Sequence, residues 1–269
     1  TMLALRDDIS SRNGYKIPVR VGLAGGIATP HSTAAAFSMG AAYVLTGSVN
    51  QSCVEAGTSD TVREMLAEAD QADVTMAPAA DMFEMGVKVQ VLKRGTMFPL
   101  RAGKLYELYN RYTRYEDIPS DQRAILERDF FRCSFEDQWE QTKDFFTRRD
   151  PRQIELAEQK PKHKMALVFR SYLGRSSNWA NAGDHTRKID YQIWCGPAIG
   201  AFNHWVKGSF LEMWQNRKTV TVAMNLLLGA AFTTRVNWLR QQGISLPTGV
   251  ERYYPLQLPE ISQLLEKGI

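Results

Sequence analysis

The sequence is poor in the residues on which disulfides and metal sites depend. It has only three cysteines, Cys53, Cys133 and Cys195, and four histidines among its 269 residues. An odd number of widely spaced cysteines, none of them in a CxxC pair, argues against a disulfide framework and predicts reduced thiols in a cytoplasmic protein. No two histidines have the close spacing of metal ligands, so we expect no zinc site.

Strong charge and long apolar runs are also scarce. The net charge of +4 is small and spread along the chain, and gives no indication of nucleic-acid binding. No secretory signal opens the sequence. The apolar stretch at 220–239 has about the length of a membrane span, but it contains Asn225, Arg235 and Asn237. We therefore predict a buried helix there and no membrane partner.

What the sequence does contain is a segment punctuated by glycines near its start. An apolar, β-branched run at 17–23 stops at Gly25-Gly26 and predicts a buried strand. Thr29 is a suitable N-cap for a helix over 30–39, which has proline at its first position. Gly40 stands where a left-handed C-cap is needed.

A second apolar run at 42–45 ends at a second turn, Thr46-Gly47-Ser48. Strand, helix and strand in this order predict a βαβ unit with parallel strands. Two glycine turns at the carboxyl ends of adjacent parallel strands form an anion nest, and β/α barrels often bind phosphate at such turns. Two ordinary tight turns are the alternative interpretation. The pairing of both turns around one short helix favours phosphate binding.

These turns and several longer motifs carry a family resemblance. AGGI at 24–27 and GAAYVLTGS at 40–48 resemble the last two β/α units of flavin-mononucleotide-dependent barrels of the nitronate monooxygenase group. The longer motifs resemble the stand-alone enoyl reductases of bacterial polyunsaturated fatty acid synthases and trans-acyltransferase polyketide synthases. Those motifs are VEAGTSDTVREMLAEADQADVTMAPAADMFEMGVKVQVLKRGT, FPLRAGKLYELY, KMALVFRSYLG, SSNWANAGD and DYQIWCGPAIGAFNHWVKGSFLE.

The resemblance implies an α/β fold made of two parts. Residues 1–72 are expected to form the C-terminal portion of a (β/α)8 TIM barrel, with its last two strands. Residues 73–269 are expected to form a mainly helical substrate-binding or lid region. The implied cofactor is FMN, with NADPH or NADH as hydride donor. The positions that match the family's cofactor-binding turns are Ala24, Gly25, Gly26, Leu45, Thr46, Gly47 and Ser48. No residue receives a catalytic role.

The implied reaction is reduction of an α,β-unsaturated thioester carried by an acyl carrier protein. The basic residues Lys93, Arg94, Arg101 and Lys104 predict a rim that steers this acidic partner, against the alternative of a solvated basic face. Only two barrel strands are recognisable, whereas a closed barrel has eight. We therefore expect a missing N-terminal barrel half, in the same polypeptide or a co-purified fragment, and no activity without it. A homodimer is also considered.

The helical part is predicted from periodicity. Residues 73–78 predict a brief extended piece, 116–160 a helical insertion, 164–173 a packed helix and 175–181 a polar loop. His204 is a weak candidate for a proton donor, because no partner is evident in the sequence.

Three other functions stay open at this point. The weakest is a phosphate-binding barrel that does not use flavin, and the other two are as follows. One is a nitronate monooxygenase, which uses the same flavin with oxygen as the acceptor. The other is a non-catalytic docking or lid fragment that lacks the N-terminal half.

Overall fold

The computed structural model describes residues 2–17 and 19–267. Within this part of the chain helices dominate and strands are few. The helices are α1 (Met2–Asn13), α2 (Pro30–Ser38), α3 (Ser48–Gln51), α4 (Asp60–Ala67), α5 (Phe98–Arg111), α6 (Ser120–Ile125), α7 (Phe135–Arg149), α8 (Arg152–Gln159), α9 (Pro161–Ala182), α10 (Ala198–Val206), α11 (Thr219–Gln241) and α12 (Leu258–Glu266). The strands are β1 (Leu23–Ala24), β2 (Val44–Leu45), β3 (Val74–Pro78) and β4 (Lys88–Leu92).

The chain folds into two compact units. Unit 1 contains the residues up to Gly57, Arg63–Ala72 and the residues from Cys195 onward, and unit 2 contains Thr58–Val62 and Asp73–Trp194. The predicted functional division at residue 72 coincides with one of these boundaries. The residues from Cys195 onward nevertheless belong to unit 1 with the glycine turns, because Phe202 and Leu226 pack in one apolar cluster with Ala28 and Val49.

In unit 1, β1 and β2 pair in parallel, with Leu23 opposite Val44 and Ala24 opposite Leu45. This confirms the predicted strand–helix–strand order. The strands are shorter than predicted: the run from residue 17 is not a buried strand, since Ile17 is 81% exposed. Within the described residues β1 has one neighbouring strand. Before β1, the Val21 carbonyl still accepts a hydrogen bond from Ala42 N at 2.8 Å, whereas Val19 is 48% exposed.

Helix α2 follows its local signals closely. Thr29 accepts a hydrogen bond from the backbone N–H of Ser32, and the Ser32 hydroxyl accepts one from the N–H of Thr29, which together form a capping box. Gly40, just after the helix, has a φ of 93°. The predicted helix over 30–39 is therefore confirmed to within one residue.

Helix α11 packs on α2 and contains the buried side chain of Asn225. Among the described residues it is the one helix with the length and apolar composition of a membrane span, with a mean hydropathy of 1.3. The side-chain amide of Asn225 is hydrogen-bonded within unit 1. Its Nδ2 donates to Leu256 O, and its Oδ1 accepts a hydrogen bond from Leu256 N. The core helix of a folded protein has these properties.

Unit 2 is built on a hairpin and a long central helix. β3 and β4 pair in an antiparallel register, in which Val74 lies opposite Leu92 and Pro78 lies opposite Lys88. The extended piece at 73–78 is confirmed, whereas β4 was not predicted. The core of unit 2 includes Phe83, Phe98, Leu105, Phe131, Trp139, Met165, Phe169 and Tyr172.

The helical insertion at 116–160 is confirmed, but the polar loop predicted at 175–181 is wrong. Helix α9 continues to Ala182 because Ser176 and Ala180 extend its buried face, and it ends where Gly183 adopts a φ of 69°. A π-helical turn, Leu126–Phe131, follows α6 and ends at Arg132, which has a φ of 59°.

Candidate phosphate-binding site

The structure brings the two glycine turns together. The parallel register of β1 and β2 places Ala24 beside Leu45, so the turns that follow leave the same edge of the pair. All seven residues that match the family's cofactor-binding turns therefore lie along this edge. The sequence alone predicted this proximity, because parallel strands present their carboxyl ends together.

The first turn needs glycine for its backbone. Gly25 and Gly26 have φ values of 87° and 73°, a region that other residues rarely adopt. A Cβ at either position, or at Gly47, would meet no atom within 4 Å. Glycine is therefore required at the first turn by conformation, and open space lies beside the backbone of both turns.

The second turn is held by side chains. The Thr46 hydroxyl donates to Asn50 Oδ1 at 2.8 Å, and Asn50 Nδ2 donates to the Thr46 carbonyl at 3.2 Å. The Ser48 hydroxyl accepts a hydrogen bond from Gly196 N at 2.8 Å. Because a hydroxyl both donates and accepts, this contact occupies an acceptor position and leaves the Ser48 proton unused.

The basic residues predicted to form a rim do not share one environment. Lys93 and Arg94 are exposed, whereas Arg101 is largely buried and forms an ion pair with the fully buried Asp190. Lys104 pairs with Glu107 at 3.2 Å. The prediction of a basic rim is thus wrong for Arg101, whose charge is used inside unit 2.

Asp190 is the centre of a buried polar cluster that the sequence analysis missed. Its carboxylate accepts hydrogen bonds from Tyr172 at 2.7 Å, from Arg187 at 3.1 Å and from Arg101. Burial and the neighbouring Asp190 carboxylate raise the pKa of Tyr172. The sequence offers no local signal for this cluster, because its members are up to 89 positions apart.

The histidines do not form a metal site. Across residues 2–17 and 19–267, no group of three or more His, Cys, Asp or Glu side chains is placed to hold a metal ion. His163 contacts Glu84 at 3.2 Å and Gln153 at 2.8 Å, and its side chain is largely buried, although its place in the basic segment KPKHK predicts an exposed side chain. His204 is exposed and lines a cavity in unit 1.

Sequence comparisons relate the chain to proteins of polyunsaturated fatty acid and polyketide synthesis. It is 48% identical over 246 residues to a component of the polyunsaturated fatty acid synthase of Thraustochytrium sp., an alignment that covers 89% of this chain and 16% of that protein. It is 50% identical over 230 residues to the polyketide biosynthesis protein PksE of Bacillus subtilis, covering 86% of this chain and 30% of PksE. The chain thus spans less than a third of either relative.

A solved structure and a family match extend this relationship. The enoyl reductase domain of MlnA, from the macrolactin biosynthesis cluster of Bacillus amyloliquefaciens, is 40% identical and superposes with a TM-score of 0.84. The match covers 88% of this chain and 54% of the MlnA chain. Residues 112–191 also match the family of the inserted helical domain of acyl-carrier-protein S-malonyltransferase. The chain is therefore similar in fold to about half of the MlnA enoyl reductase domain.

Proposed function

We propose that this chain is part of an FMN-dependent enoyl reductase that acts in trans on carrier-bound α,β-unsaturated thioesters in polyketide or polyunsaturated fatty acid synthesis. The observation that carries the proposal is the similarity to the MlnA enoyl reductase domain over 88% of the chain. The relatives from fatty acid and polyketide synthesis support the same class of substrate. NADPH or NADH is the proposed hydride donor. The three cysteines are thiols and form no disulfide in the described part of the chain, which suits an enzyme of the cytoplasm.

The residues of the two turns fit the phosphate end of FMN. Gly25 and Gly26 present a positive-φ backbone beside open space, and Gly47 adds a second turn without a side chain. Successive backbone N–H groups in such turns favour an anion, and the Ser48 hydroxyl adds a donor. We propose that 24–26 and 46–48 hold the phosphate, while Leu45 sets the position of the second turn.

The remaining chemistry is divided between cofactor and protein. When bound, FMN supplies the hydride transfer between nicotinamide and enoyl thioester. This chain anchors the phosphate and so fixes where the cofactor lies. We assign no proton donor to any of its residues, because His204 lines a cavity that includes none of the described turn residues.

We propose two partner surfaces. Leu45 is 57% exposed and Val19 is 48% exposed beside the short β1–β2 pair, which supports further barrel strands packing at this edge. The exposed Lys93 in unit 2, together with Arg94, which also pairs with Asp73 at 3.5 Å, supports the docking of an acidic acyl carrier protein. Unit 2 would then contribute to the substrate-binding region.

The proposal is tested by measuring flavin binding and turnover in a Gly26→Ala variant and a Gly243→Ala control. Both glycines have positive φ, 73° and 78°, and neither has an atom within 4 Å of a built Cβ. Each substitution therefore introduces similar backbone strain, of about 1 kcal/mol. We expect Gly26→Ala to weaken FMN affinity at least about tenfold, since about 1.4 kcal/mol of lost binding energy corresponds to that factor. Gly243→Ala should leave FMN affinity unchanged.

Turnover separates the enzyme classes. The full-length enzyme that contains this chain should oxidise NADPH or NADH with a crotonyl thioester as acceptor and should not consume oxygen with a nitronate. Oxygen uptake with a nitronate would instead indicate a nitronate monooxygenase. Equal FMN affinity in the Gly26→Ala and Gly243→Ala variants would show that the two glycine turns do not bind FMN.

A further inference from the structure

Unit 1 contains a cavity of about 550 Å³ that is separate from the glycine turns. Its walls come from the start of α2, one face of α10, the end of α11, Gln71 and the segment 251–253. Of the seven turn residues, all of which the structure describes, none lines it. Binding sites for small organic molecules commonly have volumes of about 300–1,000 Å³, so the cavity is larger than an inorganic anion requires.

The polar part of the cavity is rich in hydrogen-bond donors. His31 and His204 line it from two different helices, and a neutral imidazole always carries one N–H. Arg252 adds a permanent positive charge. Among the lining residues that the structure describes, Glu251 is the one carboxylate, and it forms an ion pair with Arg240. Because Glu251 is already paired with Arg240, no other carboxylate among the described lining residues neutralises the charge of Arg252. The cavity therefore favours an anion.

The apolar part of the cavity consists of two aromatic side chains that are fixed in place. Trp205 Nε1 donates to the Tyr253 carbonyl at 3.5 Å, and the Tyr253 hydroxyl donates to the buried Asn225 at 2.9 Å. The ring of Trp205 also packs edge-on against Phe202, with centroids 5.7 Å apart. Because neighbouring groups hold both rings, little side-chain entropy is lost when a flat ring packs against them.

We propose that this cavity binds the phosphoadenosine group of a nucleotide, with the base against Trp205 and Tyr253 and a ribose phosphate monoester near Arg252 and His204. Two common compounds carry such a group: nicotinamide dinucleotide phosphate with a 2′-phosphate, and coenzyme A with a 3′-phosphate. The proposal goes beyond the enoyl reductase function. It requires neither bound flavin nor turnover, so its failure can be distinguished from the failure of that function.

Calorimetric titration of the protein with two nucleotides tests the site. Adenosine 2′,5′-bisphosphate represents the dinucleotide and adenosine 3′,5′-bisphosphate represents coenzyme A, and we expect one of them to bind more tightly than inorganic phosphate. Arg252→Gln, which removes the positive charge, and His204→Ala, which removes the imidazole donor, should each weaken that binding by about tenfold, as expected for loss of a hydrogen bond to a charged group. Both residues are exposed, so their substitution should leave the melting temperature unchanged.

Arg235→Gln is the matched control. Arg235 is an exposed arginine of α11 outside this cavity, and its substitution removes the same charge from unit 1. It should leave nucleotide affinity unchanged at physiological salt.

Four results would overturn the proposal. One is the absence of binding of either bisphosphate up to millimolar concentration. Another is equal affinity in the wild type and in both cavity variants. The third is displacement of the bound bisphosphate by FMN, which would assign the cavity to the flavin site. Inorganic phosphate binding as tightly as the bisphosphates would exclude recognition of the nucleoside.

Discussion

At the scale of single residues, Asp190 holds together a buried polar cluster in unit 2. It is fully buried, yet its two oxygens accept hydrogen bonds from two arginines and a tyrosine. Arg187 also donates to the carbonyls of Phe130 and Phe131, at 2.7 and 2.8 Å. These carbonyls belong to the end of the π-helical turn, where backbone acceptors are left without helical partners. Asp190 thus orients the arginines that terminate this turn.

We expect Asp190→Asn to lower the free energy of unfolding by about 3–5 kcal/mol, the usual cost of leaving a buried charge without its partner. Asp129→Asn is the control, because Asp129 forms an exposed pair with Arg128 at 2.8 Å and such pairs stabilise little. Urea denaturation followed by tryptophan fluorescence measures both. Equal stability of the two variants would show that the Asp190 cluster is not a stabilising element.

At the scale of elements, α10 packs closely on the backbone near Gln71. A Cβ at Gly200 would lie 2.1 Å from Gln71 N and 2.4 Å from the Asp70 carbonyl carbon, both of them backbone atoms. Asn203, three residues later, donates to the carbonyls of Leu66 and Ala69 at 2.8 Å. Gly200 therefore allows α10 to approach, and Asn203 fixes the contact.

Gly200→Ala should reduce stability by about 1–3 kcal/mol through overpacking, and Gly103→Ala should raise it by about 0.5–1 kcal/mol. Gly103 lies on the exposed face of α5, with no atom within 4 Å of a built Cβ, so alanine there improves helix propensity only. Thermal unfolding of both variants distinguishes close packing from propensity. A stabilised Gly200→Ala would mean that α10 can shift without cost.

An element could be predicted from the sequence when the residues that define it are close together in the chain. Helix α2 has Thr29 at its N-cap and Gly40 after its end, and both acted as predicted. The strand β4 was missed although its residues KVQVL alternate, because a five-residue strand is defined by its partner and not by propensity. Helix α9 was cut short because Ser176 and Asn178 have low helix propensity, which tertiary packing overrides.

At the scale of the whole molecule, unit 1 is discontinuous in sequence. Its core joins Val49 and Cys53 to Phe202, Val206 and Val222, which lie more than 140 positions later. Hydrophobic periodicity shows which face of a helix is buried, but not which distant segment covers it. For this reason the division predicted at residue 72 separated the chain in sequence order and did not group the residues from Cys195 onward with the glycine turns. The proximity of the two glycine turns was predictable because both lie within 25 consecutive residues, 24–48.

Both units contain tyrosines whose ionisation opposes folding, so we expect stability to fall above pH 10. Burial, and secondarily Glu260, raises the pKa of Tyr253 to about 12. Burial and Glu127 raise that of Tyr115. An unfolded tyrosine titrates near pH 10, so these groups stabilise the fold fully below that pH and lose their contribution as the pH rises through their folded pKa values.

Melting temperatures measured from pH 8 to pH 11.5, with phenolate absorbance recorded alongside, test this expectation. Tyr253→Phe should show a shallower alkaline decline than the wild type. Tyr43→Phe, at an exposed tyrosine, is the control and should leave the decline unchanged. If the melting temperature depended on pH identically in the wild type and in Tyr253→Phe, ionisation of Tyr253 would not be a cause of the alkaline loss of stability.

The discontinuity of unit 1 has a consequence for the order in which the protein is made. Unit 2 ends at Trp194, so all of its core residues have been synthesised while residues from Cys195 onward are still to be added. At about 5–20 residues per second, several seconds separate these two stages. During that interval Ala28, Val49 and Cys53 lack the helices that later bury them. The glycine turns are therefore translated before unit 2 and are among the last parts of the described chain to gain a completed core.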